Sequence, residues 1–140
     1  MADRFSVRVT VRSYEIDTNG HVNGVAYLQY AEHARWELMA TAGVDLLRLR
    51  ELGFGPVNLE TVIRYHSELV YRDPVDVSCE IEWGPGKTFR VPQELRRADG
   101  TLVAEVNHVG GLLDLGTRRL VAAPGEQFRK VTGTPELLGL

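Results

Sequence analysis

The sequence predicts an α+β domain in which one long helix packs against a curved, five-stranded antiparallel sheet. Three observations point there. A single long segment, from about Asn23 to Ala42, carries helical spacing. Five other segments alternate apolar and polar residues as strands do. The last four of these follow one another through short turns, so they form a sheet with one apolar face, and the long helix is the element available to cover it.

Taken in order, residues 5 to 12 set Phe5, Val7, Val9 and Val11 against Ser6, Arg8, Thr10 and Arg12, a half-buried strand. Asp17, Thr18, Asn19 and Gly20 then interrupt the pattern with turn formers. In the helix, Tyr27, Tyr30, Ala31, Ala34 and Leu38 recur every three or four positions and form one stripe. Glu32 and Arg35 are spaced to pair, and Gly43 suits the left-handed position after the last turn. Val57, Leu59, Thr61, Ile63 and Tyr65 define the second strand, alternating with Asn58, Glu60 and Arg64. Val75 to Trp83 forms the third, Phe89 to Arg97 the fourth, and Leu102 to about Leu115 the fifth. Gly84-Pro85-Gly86-Lys87 and Asp99-Gly100 are the turns between them. Pro92 implies an edge position or a bulge, and Gly110-Gly111 implies a bend or a close backbone approach. The tail from Pro124 has no strong period.

The 140 residues suit one domain, 1–140, with a core of its own. A net charge of −3 argues against nucleic acid as a partner, since phosphate binding needs a basic surplus. No stretch approaches a membrane span, and the start of the chain has no apolar segment of a signal peptide. The single Cys79 forms no internal disulfide, which fits a cytoplasmic setting.

Chemistry concentrates between Arg12 and Arg35. A carboxylate (Asp17), an imidazole (His21) and an amide (Asn23) share the loop before the helix. Asn23 is a natural N-cap. Gly24, Val25 and Ala26 then contribute first-turn N–H groups that lack partners within the helix, a place where developing negative charge is stabilised. One loop can bring Asp17 beside those donors, the minimum apparatus for hydrolysing an acyl compound. The same residues also read as an Asx turn and an ordinary cap, which need no catalysis.

The pattern Asp17-x-x-Gly20-His21-Val22-Asn23-x-x-x-Tyr27-x-x-Tyr30-x-Glu32-x-x-Arg35 resembles the signature of hotdog-fold thioesterases, the 4-hydroxybenzoyl-CoA thioesterase group and its long-chain acyl-CoA relatives. The order of strand, helix and four strands resembles theirs as well. The resemblance implies hydrolysis of acyl-CoA or acyl-carrier-protein thioesters, with Asp17 as nucleophile or general base. It implies that the Gly24 N–H polarises the carbonyl, that His21 and Asn23 line the same pocket with His21 a catalytic residue orienting Asp17, and that Tyr27 stands at the helix entrance. Many relatives carry a second Asn where this chain has Gly24; the backbone donor survives that change. A homodimer or homotetramer is implied, with no metal or other cofactor. Lys87 and Arg90 match positions able to meet CoA phosphates.

Alternatives within the same fold are release of an acyl or polyketide chain from a carrier protein, a dehydratase or hydratase, and a non-catalytic acyl-CoA-binding module. Glu32, His33 and His66 lack metal-ligand spacing and read as surface residues. Cys79 reads as a small core residue.

Overall fold

The computed structural model describes residues 4–140. Strand β1 (Ser6–Thr10) leads through a short 3-10 turn (Ser13–Glu15) and the Asp17 loop into helix α1 (Gly24–Thr41). A short helix α2 (Leu46–Glu51) precedes β2 (Phe54–Tyr65), β3 (Pro74–Ser78), β4 (Glu82–Trp83), β5 (Thr88–Arg97), β6 (Leu102–Asp114) and β7 (Arg119–Leu120). Helix α3 (Pro124–Arg129) and a 3-10 turn (Pro135–Leu138) close the chain. The main path of the antiparallel sheet is β1-β3-β5-β6-β2, with β4 on β5 and β7 on β6. These are the five expected strands, the third in two pieces (β3 and β4), with β7 as a short addition.

The helical stripe lands where its spacing puts it. Tyr27, Tyr30, Ala31, Ala34 and Leu38 are all buried against the sheet with Val75, Val77, Leu95 and Val106. Small residues at two of these positions, Ala31 and Ala34, let α1 lie close to the strands. Gly43 follows the helix with φ +67°, and the carbonyl of Ala42 accepts hydrogen bonds from Gly133 and from the Thr132 hydroxyl. The tail therefore closes the helix end, although no period betrays it. Phe128 and Leu138 are buried, and the Trp83 indole donates to the Leu138 carbonyl at 2.7 Å.

Four sequence expectations need correction. Pro92 lies in a central strand, not at an edge. β3 and β4 pair with β5 in one register on either side of Ser78 to Ile81, and the ladder lapses opposite Pro92, which has no N–H to give. Side chains bridge part of the gap: Gln93 Nε2 donates to the Ser78 carbonyl, and the Glu94 N–H donates to Ser78 Oγ. The single strand expected from Val75 to Trp83 is thereby split in two. Alternation along β2 is broken by a bulge between Asn58 and Glu60. Leu59 becomes half-exposed, and Asn58 comes within 2.6 Å of the Thr61 hydroxyl. Glu32 and Arg35, finally, form no ion pair among the described residues. The close approach expected at Gly110-Gly111 is present. A Cβ on Gly110 would sit 2.8 Å from the Phe89 ring, and one on Gly111 would sit 2.8 Å from Leu120.

Candidate active site

The loop that carries Asp17 is built by backbone pairing. An isolated bridge joins Ile16 to Val22, and within it the Asp17 N–H donates to the His21 carbonyl at 2.9 Å. Gly20 turns the loop at φ +80°, a conformation that costs glycine little. Asp17 Oδ1 accepts from the Asn19 N–H at 2.8 Å, an Asx turn, while Oδ2 has no partner among the described residues. The side chain is 32% exposed. It is thus fixed at one oxygen and open at the other.

Asn23 ties this loop to the helix. Its Oδ1 accepts from the Ala26 N–H at 3.0 Å, which makes it the N-cap, and its Nδ2 donates to the Glu15 carbonyl at 2.9 Å. The Asn23 N–H donates to the same carbonyl. Glu15 is itself anchored. Its carboxylate is buried and accepts from the Tyr30 hydroxyl at 2.6 Å and from the Arg12 N–H at 2.8 Å. Burial and the adjacent carboxylate both push the Tyr30 phenol far up, so it stays a donor. The N–H groups of Gly24 and Val25, both in exposed positions, have no partner among the described residues. They are the free donors of the helix start.

His21 sits beside Asp17 without bonding to it. Its Nδ1 lies 3.9 Å from Asp17 Oδ1 and 3.4 Å from the Val22 carbonyl oxygen. Tyr27 is buried and packs edge-on to Tyr65 with ring centres 5.1 Å apart. The structure therefore brings Asp17, His21, Asn23, Gly24 and Tyr27 into one region. Lys87 and Arg90 are elsewhere in the chain. Arg90 and Glu60 both pair with Val109, so Arg90 lies about 17 Å along the sheet from the row of Tyr65, and Lys87 lies farther still.

Three features escape a reading of the sequence. Glu15 resembles any loop acid. Tyr65 is half-exposed on β2, yet its hydroxyl donates to the Gly24 carbonyl at 3.0 Å. A polar chain also crosses the core. Gln93 donates both amide hydrogens to carbonyls, of Ala31 at 2.9 Å and of Ser78 at 3.2 Å. Its oxygen must then accept from His108 Nε2, 2.9 Å away. That fixes the neutral tautomer of His108, whose Nδ1 accepts from the Thr61 hydroxyl at 2.9 Å, while Asn58 donates to Thr61. Burial, helped by Arg35, pushes the His108 imidazole down to about 4. A signal for this chain existed: Gln93 and His108 occupy core-facing positions in strands whose neighbours there are Val91, Leu95 and Val106.

Below the second half of α1 lies a cavity of about 350 Å³, bounded by the sheet and lined mostly by apolar side chains. Trp36 of α1 and Val57 of β2 both line this cavity, while Gly24 and Tyr65 meet at the start of the helix.

Residues 11–131 match the model of the thioesterase-like superfamily. The long-chain acyl-CoA thioesterase FadM of Escherichia coli is 27% identical over 126 residues, covering 89% of this chain and 94% of that protein. Among solved structures, the hypothetical protein SAV2348 of Staphylococcus aureus, described in complex with CoA, superposes with a TM-score of 0.80 at 26% identity. That match covers 91% of this chain and 80% of the other. A 1,4-dihydroxy-2-naphthoyl-CoA thioesterase from Synechocystis shares the fold, with a TM-score of 0.81 at 18% identity over 91% of this chain and 94% of that one.

Proposed function

The chain belongs to the thioesterase-like superfamily, and we propose that it hydrolyses acyl-CoA thioesters to the free acid and CoA at the Asp17 loop. The observation that carries this reading is the pairing of a carboxylate oxygen left free on Asp17 with the unpartnered N–H groups of Gly24 and Val25 at a capped helix start. The names of the relatives support the substrate class: one acts on long-chain acyl-CoA, and another is described with CoA bound.

In the proposed reaction the thioester carbonyl oxygen lies against the Gly24 N–H, where the negative charge that develops on it is stabilised. Asp17 either attacks the carbonyl carbon, giving an acyl-enzyme anhydride that water then opens, or takes a proton from an attacking water. In both routes the carbon–sulfur bond breaks, and CoA departs as a thiolate that a solvent proton neutralises. A thiolate leaves readily, so no strong general acid is required. His21 lies beside Asp17, 3.9 Å from Oδ1, and Tyr27 with Tyr65 walls the helix entrance.

A homodimer forms through β2 in this account. β2 is the edge of the sheet, twelve residues long, and exposes Leu59, Val62 and Tyr65. A long apolar edge of this kind is a template for pairing with a second strand. In such a dimer a partner surface, not the same protomer, meets the substrate of each loop, and this gives Lys87 and Arg90 a route to the CoA phosphates despite their distance from Asp17.

The test is direct. A panel of acyl-CoAs from short to long and aromatic is mixed with the protein, and free thiol is monitored. Release above the uncatalysed rate supports the reading; no release from any member of the panel overturns it.

A further inference from the structure

The cavity under α1 contains a cation that forms no ion pair among the described residues. Arg35 lines it, and the Arg35 Nε is sealed from water with no hydrogen-bond partner among the described residues. Nor does its guanidinium take part in any ion pair among them. Arg35 is half-buried, so its guanidinium keeps free donors at the cavity while Nε itself has no partner.

The neighbours within the cavity do not pair with it. His108 has both ring nitrogens occupied, by Thr61 and Gln93, and stays neutral. Burial pushes the Cys79 thiol up to about 12, so it carries no charge either. Glu32 also lines the cavity, but it is exposed and makes no ion pair with Arg35. The remaining wall includes Leu38, Met39 and Phe89, which suit a hydrocarbon chain, and Asn58, which is exposed and neutral and donates to Thr61. A planar guanidinium with free donors matches a carboxylate better than any other common group.

We infer that this cavity receives the far end of the acyl group, and that it selects thioesters of dicarboxylic acids whose distal carboxylate meets Arg35. The inference rests on the thioesterase reading above. Arg35 lies about 16 Å along α1 from Gly24 at the usual helical rise, so the preference belongs to chains long enough to span that length. Glu32 opposes an anion at the same place, and its charge limits the preference.

The experiment compares three CoA thioesters of equal chain length, ending in a methyl, a hydroxyl or a carboxylate, over a series of lengths, with thiol release as readout. Wild type is expected to favour the carboxylate over the methyl by about tenfold or more in kcat/KM at the longer lengths, the scale of a charge-assisted hydrogen bond. The gain should fall mainly in KM, because the contact is remote from the reacting carbon. Arg35→Met should erase the preference while keeping turnover of the methyl-ended chain, and Glu32→Gln should enlarge it. Equal or better use of the methyl-ended chain by wild type at every length would overturn the inference. A carboxylate preference that survives in Arg35→Met would also overturn it. Should Arg35→Met fail to fold, the wild-type series alone decides. Hydrolysis without the preference refutes only this inference, whereas no thiol release from any thioester refutes the activity itself.

Discussion

The hydroxyl of Tyr65 donates a 3.0 Å hydrogen bond to the carbonyl of Gly24, joining the end of the edge strand to the first residue of the long helix. The contact fixes the peptide whose neighbouring N–H is the proposed oxyanion donor. A Cβ on Gly24 would stand 3.2 Å from the same hydroxyl, so Tyr65 would have to give by a few tenths of an ångström to admit one. Tyr65→Phe keeps the edge-on packing against Tyr27 and deletes only this bond. It should lower kcat by up to about tenfold and cost no more than about 1 kcal/mol of stability, the net worth of one hydrogen bond. Steady-state kinetics beside a melting curve checks both halves, and unchanged kcat would remove Tyr65 from the site.

Asn23 has two tasks, capping α1 and holding the Glu15 carbonyl. Asn23→Ala should cost about 1 kcal/mol of stability from the lost cap. It should also reduce turnover, because the helix start and the Asp17 loop are no longer held together. Asn23→Asp retains the cap acceptor but loses the Nδ2 donor. It should therefore recover most of the stability and less of the activity. Denaturant unfolding and kinetics of the two variants separate the tasks, and a stable, fully active Asn23→Ala would show that neither matters.

Much of this arrangement was legible in the sequence, and the reason is local. Asn23, Gly24 and the apolar stripe from Tyr27 to Leu38 follow rules that act within one or two helical turns, so spacing alone located the helix, its cap and its buried face. The resemblance of the Asp17 to Arg35 segment to hotdog thioesterases added the fold. What stayed hidden depends on contacts between residues far apart in the chain. Glu15 is buried because Tyr30 reaches it, and Tyr65 matters because β2 ends beside Gly24. The Leu59 bulge, which lets Asn58 meet Thr61, leaves no period to read. Pro92 misled because a missing N–H is usually placed at an edge. Here the sheet tolerates it centrally, with Gln93 and Ser78 bonding beside the gap.

His108 gives the protein a pH-dependent stability. The imidazole is held neutral, from an ordinary value of 6.5 down to about 4, chiefly by burial and secondarily by Arg35. The unfolded chain therefore binds a proton that the folded one refuses between those values. The stability this group confers is whole above about pH 6.5 and is lost as pH falls toward 4, with a slope approaching about 1.4 kcal/mol per pH unit. His108→Gln should flatten that part of the profile. Urea midpoints measured between pH 4 and 7 check it, and parallel profiles for wild type and His108→Gln would refute it.

The exposed edge of β2 predicts the oligomeric state. At micromolar concentration, light scattering should report a dimer or a multiple of it. Leu59→Lys together with Val62→Lys places like charges along the pairing edge and should shift the population toward monomer, with a loss of activity in proportion. A wild-type protein that is monomeric and active would contradict the shared-interface account.

The most direct test of the central claim is thiol release by Asp17→Asn. The amide preserves the size of the side chain and can still accept the Asn19 N–H, so the loop should keep its shape. It has no negative charge with which to attack carbon or accept a proton. With the acyl-CoA that wild type hydrolyses fastest, Asp17→Asn should retain a normal melting temperature and lose at least about 100-fold in kcat. A folded Asp17→Asn that releases CoA at a near-normal rate would contradict the account.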